Sequence, residues 1–227
     1  MSFLTGRKQF PSGYWCAALC LSILVFAGSL RAQSNPSVSF TLDFPGSQPE
    51  HYTIRVAADG KATYESRGPL NSTSEATDDF HINFEASPPT RERIFALTDK
   101  AHRFSGDLES HRKNLASTGN KTLTYDDGSK PVSASFNYSN QVPVQELTRL
   151  FQDMSSTLEF ARRLNFYYRY QKLALDAELK RMEELAKGNG LAELQAAEPI
   201  LRQIADDPSV INVVRARAKG LTERIAR

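Results

Sequence analysis

Residues 51–66 read HYTIRVAADGKATYES, and this stretch decides the fold. Tyr52, Ile54 and Val56 alternate with Thr53 and Arg55, the period-two pattern of a strand with one buried face. Asp59-Gly60 supplies the positive-φ pair suited to a two-residue hairpin turn, and Ala62 and Tyr64 carry the pattern back along a second strand. Upstream, Val38, Phe40, Leu42 and Phe44 alternate in the same way. Downstream, beyond the polar stretch Gly68 to Thr77, so do Phe80, Ile82 and Phe84. An antiparallel sheet is the reading that accommodates all four segments.

The pattern then changes period. Ser87-Pro88-Pro89 reads as a helix start, with Ser able to cap and proline tolerated in the first turn. Ile94, Leu97, Ala101 and Phe104 continue it at spacings of three and four. After a polar loop, Asp107 to Asn120, a second hairpin forms from Lys121–Tyr125 and Val132–Tyr138 around Asp127-Gly128. Pro143 then opens another helix carrying Val144, Leu147, Leu150, Phe151, Met154 and Leu158. Hairpin plus helix thus occurs twice, which predicts a sheet with both helices on one face. Beyond Leu158 the apolar rhythm persists to Gly188-Asn189-Gly190, predicting one long helix kinked near Asn165. Two shorter helices follow, one from Leu191 to Ile204 and one capped by Asp207-Pro208. The predicted class is α+β: an antiparallel sheet with two helices on one face, then a C-terminal helical hairpin or three-helix bundle.

At the other end, Arg7 and Lys8 precede an apolar run from Trp15 to Leu30, and no acid occurs before Asp43, the order of a secretory signal peptide. The favoured cut follows Ala32, with Ala27-Gly28-Ser29 as the alternative. The chain therefore divides into a leader at 1–32, an α+β module at 33–158 and a helical region at 159–227. An uncleaved leader is the route by which such a chain would hold a membrane. Cys16 and Cys20 both lie in the leader, so the mature chain is expected to have no disulfide. The charge of +2 for the 227 residues falls to near −1 once Arg7, Lys8 and Arg31 are removed, which gives no reason to expect a nucleic-acid partner.

Chemistry-bearing motifs are sparse. Four histidines, His51, His81, His102 and His111, share no metal spacing, and neither a nucleophile elbow nor a phosphate or dinucleotide loop occurs. Asp126-Asp127 precedes Gly128 and reads as turn chemistry in preference to an acid–base pair; Asp206-Asp207 reads as a helix cap. No catalytic residue, metal ligand or cofactor is expected. The unusual segment is Phe166, Tyr167, Tyr168 and Tyr170 among Arg162, Arg163 and Arg169. Consecutive aromatics turn by 100° per residue and cannot all face one core. Arg163, Tyr167, Arg169 and Tyr170 are the candidate partner contacts, since Tyr and Arg dominate binding hot spots.

The succession of strand, Asp-Gly hairpin, strand, Ser/Pro-started helix, hairpin and helix resembles a group of uncharacterised exported bacterial proteins. Over residues 38 to 158 it is also loosely similar in layout to the emfourin-like inhibitors of metalloproteases. The resemblance implies an exported, periplasmic or secreted protein. The expected function is noncatalytic binding or association with the cell envelope through a protein partner. The alternative is a secreted protease inhibitor acting through an exposed loop, either Gly68 to Asp79 or Asp107 to Asn120.

Overall fold

The computed structural model describes residues 1–2, 35–70 and 77–225. Residues 3–32 of the leader, with both cysteines and the Ala32 cut, lie outside the described residues, as does 71–76 of the loop after Gly68. Among the described residues, no helix is long and apolar enough to cross a membrane.

Ser34–Arg227 forms one compact unit. Its six strands are β1 (Ser37–Asp43), β2 (His51–Ala57), β3 (Lys61–Pro69), β4 (Thr77–Glu85), β5 (Asn120–Asp126) and β6 (Val132–Phe136). They make an antiparallel sheet in the order β4-β3-β2-β1-β5-β6. Helices α1 (Pro88–Lys100) and α2 (Val142–Tyr170) pack on the sheet face that carries the alternating apolar residues, and α3 (Leu175–Lys187), α4 (Glu198–Asp206) and α5 (Asn212–Ile225) follow. The class is α+β with C-terminal helices, as the sequence periodicity indicates.

Period two explains the sheet core. Val38, Phe40, Ile54, Tyr64 and Leu123 are all fully buried, and Phe40 stacks on Phe151 of α2 with ring centroids 5.4 Å apart. The opposite face is polar and laddered by hydroxyls: Thr41 with Thr53, Thr122 with Ser135, and Thr124 with Ser133. The β2–β3 turn differs in detail from the sequence reading. Its loop is Ala58-Asp59-Gly60, and of Asp59 and Gly60 only the glycine has positive φ, at 95°; this is a type I turn closed by a glycine bulge. Asp59 accepts from the Lys61 N–H and ammonium instead of adopting the left-handed conformation.

Helix α2 is continuous through Asn165, whose side-chain amide donates back to the Ala161 carbonyl. The break comes at Gln171 (φ −146°), where the chain turns so that Leu175, Leu179 and Met182 can enter a second core with Leu164, Leu201, Ile204 and Val214. Residue 158, the predicted boundary, falls inside α2, which contributes to both cores. The helix predicted from Leu191 begins instead at Glu198, preceded by a 3-10 turn at Leu194–Ala197. Pro199 is the reason, since proline is tolerated only in a first turn.

Asp207 does not cap α5, which starts at Asn212; it holds the preceding turn by accepting from the Ser209 N–H, and it also accepts from Tyr168 and Lys172. These donors hold its carboxyl well below the usual range, the Lys172 bond foremost.

Ser87 stands at the N-cap of α1, where its carbonyl accepts from the Arg91 N–H, but its hydroxyl makes no capping bond to the helix. Its N–H and hydroxyl donate at 2.8 and 2.7 Å to the carboxylate of Glu193, so a remote anion sits at the N-terminus of α1, where the helix dipole favours it. Glu193 itself holds φ 57°.

Three successive non-glycine residues, His102, Arg103 and Phe104, adopt φ between 50° and 62° after α1. Each left-handed residue costs roughly 1–2 kcal/mol. Burial of Phe104 and the Arg103 contacts with Asp99 and Tyr125 offset that strain. The His102 side chain is exposed and makes no hydrogen bond or ion pair among the described residues. His102→Gly should therefore stabilise the protein: relief of the left-handed penalty exceeds the roughly 0.5–1 kcal/mol entropic cost of glycine. A chemical denaturation midpoint that falls would show that the turn is not strained.

Candidate partner-binding site

Two clefts flank the C-terminal half of α2, and they divide the four residues singled out from the sequence. Arg163 and Tyr167 line the first, a groove of about 750 Å³ beside Leu42, Pro49, Tyr52 and Ser155. Arg169 and Tyr170 line the second, about 650 Å³, whose other walls are Phe80 and Ile82 of β4 and Pro199 and Ile200 of α4.

Folding occupies the first pair. The Arg163 guanidinium donates at 2.5 Å to Glu178, which is itself 4% exposed and also held by Arg181, and it lies 4.7 Å over the Phe160 ring. Tyr167 is buried in the second core. Tyr168 is engaged through Asp207. At the second cleft the situation reverses. Tyr170 is 70% exposed and touches Phe166, with ring centroids 5.1 Å apart. Arg169 is exposed and meets no acidic side chain among the described residues. Leu173, 94% exposed, stands in the turn just beyond. The four candidates thus separate into two that hold the helices together and two that face solvent on a groove wall.

The sequence gives less warning of a polar network between the clefts. Ser155 and Glu159 lie one turn apart on the apolar face of α2, opposite Tyr64 and Ser66 on the core face of β3. Tyr64 donates at 2.8 Å and Ser66 at 2.7 Å to one oxygen of Glu159, and Ser155 lies 3.0 Å from the Tyr64 hydroxyl. Arg162 approaches the other Glu159 oxygen at 3.5 Å, donates to the Gly68 carbonyl and stacks 5.4 Å over Phe80. Burial pushes the Tyr64 hydroxyl well above its ordinary pKa, and the Glu159 charge adds to the shift. A tyrosine so raised does not ionise near neutrality and serves here as a donor. Two polar residues inside the apolar stripe of α2 were the available signal.

The remaining buried ions are also paired. Lys121 gives its ammonium to the carbonyls of Thr118, Gly119 and Asn137, and burial lowers its pKa. Glu193 holds Ser87 and Gln195. The carboxylates of Asp126 and Asp127 accept from the N–H groups of Gly128 and Ser129 as turn chemistry requires. The one buried side-chain polar atom without a partner among the described residues is the Thr148 hydroxyl oxygen. No cluster of three or more His, Cys, Asp or Glu among the described residues is placed to hold a metal ion.

The fold and these clefts define an α+β protein with one groove whose Arg163 and Tyr167 hold the helices together and one whose Arg169 and Tyr170 are exposed. Comparison with protein-family models finds no match, and comparison with curated proteins finds none either.

Proposed function

We propose that this chain is an exported, noncatalytic protein that works by holding a protein partner in the cleft between β4, α2 and α4, with Arg169 and Tyr170 as its contacts. One observation carries the reading: a guanidinium that meets no acid among the described residues and a largely exposed aromatic ring share the wall of a half-apolar groove, on a helix whose neighbouring Arg and Tyr side chains are engaged internally. Tyr and Arg at the edge of an apolar cleft are the residue types that contribute most to protein interfaces. The charged, apolar, small-residue order of residues 7–32 supports export.

Arg169→Glu/Tyr170→Ala should leave the melting temperature unchanged, because neither side chain supports the core. It should reduce recovery of the partner from envelope and culture fractions at least tenfold, since such anchors typically contribute more than about 1 kcal/mol each. Identical sets of proteins recovered by variant and parent would remove this surface from consideration.

A second reading, inhibition of a secreted protease, draws on the loop after α1. Residues 111–118 are exposed without interruption, and Asn137 holds the loop base through Ala116 and Thr118. Positive φ at His111 and Asn114 interrupts the extended backbone that a substrate presents to a protease. The groove is therefore the preferred site.

A further inference from the structure

The β4 edge of the sheet is open. Strand β4 pairs with β3 over nine consecutive residues without a bulge, and among the described residues no strand pairs with its outer side. The strand TDDFHINFE contains neither the Lys nor the Pro that commonly blunts an edge.

Its register indicates which backbone groups are free. The Ala86 N–H bonds to the Gly60 carbonyl, and bonded and non-bonded pairs alternate along an antiparallel ladder. Phe84, Ile82 and Phe80 then bond to β3, while the N–H and C=O groups of Glu85, Asn83, His81 and Asp79 point off the edge. On the core side of the same strand, Phe80, Ile82 and Phe84 are only partly covered, and Phe80 and Ile82 line the cleft that holds Arg169 and Tyr170.

We propose that an extended segment of the partner, apolar at alternate positions and acidic at one end, adds to the β4 edge as a seventh strand and seats its apolar side chains in this cleft. This rests on the binding reading above and deepens it. Backbone bonds to the four open residues supply affinity, and the cleft selects the side chains.

Charge complementarity selects the acidic end. Of the charges lining the cleft, Asp79 is answered by Arg67 and Arg162 by Glu159, whereas Arg169 meets no acid among the described residues. A second copy of this chain is a poorer occupant. Antiparallel self-pairing centred on Ile82 sets Asp79 opposite the partner's own Glu85 position, two acids facing across the strands.

The test uses the full chain and synthetic nine-residue peptides with Val at alternate positions and Thr between them, ending in Glu or in Lys. The Glu-ended peptide should slow amide hydrogen exchange at His81 and Asn83. Methylating the peptide nitrogens that face β4 should weaken binding at least tenfold, as should Asn83→Pro, which removes an edge donor and spares the β3 ladder. Arg169→Glu should invert the preference toward the Lys-ended peptide. Unchanged exchange at β4 with every peptide at millimolar concentration would overturn the proposal, as would full binding by the methylated peptide. Protection that rises with protein concentration in the absence of peptide would assign the edge to a second copy and overturn it too. Partner capture lost with Tyr170→Ala but kept with Asn83→Pro would overturn strand addition and leave the binding reading standing. Capture indifferent to both would remove both.

Discussion

Glu159→Ala is expected to lower folding stability by about 3–5 kcal/mol, the cost of removing one partner from a buried ion pair. The change leaves the Arg162 charge buried beside Phe80 and deprives the Tyr64 and Ser66 hydroxyls of their common acceptor. Against a total stability of roughly 5–15 kcal/mol, that is a large fraction. Glu159→Gln keeps an acceptor oxygen for Tyr64 and Ser66 and loses only the charge, so its cost should be clearly smaller. Urea unfolding followed by circular dichroism reads both. Equal midpoints for the alanine variant and the parent would mean that the network is not formed in solution.

Gly119→Ala should be almost as damaging, because the site combines a positive φ with close packing against β1 and Phe44. Gly119 holds φ 89°, where an alanine is strained by about 1–2 kcal/mol. An added Cβ would also lie 2.7 Å from Cβ of Phe44, 2.9 Å from Leu42 and 3.0 Å from the Asp43 carbonyl. Such overpacking typically costs about 1–3 kcal/mol, and neither the Phe44 Cβ nor a carbonyl in β1 can swing aside. Gly60→Ala provides the control. Its φ of 95° carries the same strain, but its nearest neighbours stand at 3.5 Å. The denaturation midpoint of Gly119→Ala should therefore fall well below that of Gly60→Ala, and similar midpoints would show that β1 yields to the new methyl group.

What was legible in the sequence follows from the range of the forces involved. Alternation in Tyr52-Ile54-Val56 is local, so the strands and the face they bury could be read directly. Helix α1 and its N-cap were readable from Ser87-Pro88-Pro89, but the anion that holds Ser87 was not, because Glu193 lies 106 residues away and nothing in its neighbourhood marks it as a partner for another helix. The left-handed run at His102–Phe104 was hidden for a different reason: none of the three is glycine, and tertiary contacts of Phe104 and Arg103 impose the conformation. For the candidate site, residue type indicated Arg163, Tyr167, Arg169 and Tyr170 together. Separating them required the position of α3 and α4 around α2, which no local pattern encodes.

The segment that carries Glu193 also bears on the order of synthesis. Ala192 accepts from Thr157 and donates to Asp153, so this stretch is fastened to α2 as well as to the start of α1. A chain emerging N-terminus first would present the whole sheet, with α1 lacking its anion, before the closing segment existed. Loop closure over such separations is slow compared with local pairing. The short stretch at Ala192 and Glu193 therefore acts as a fastener: a growing chain can build its sheet first, and α1 and α2 are tied together only when this late segment arrives.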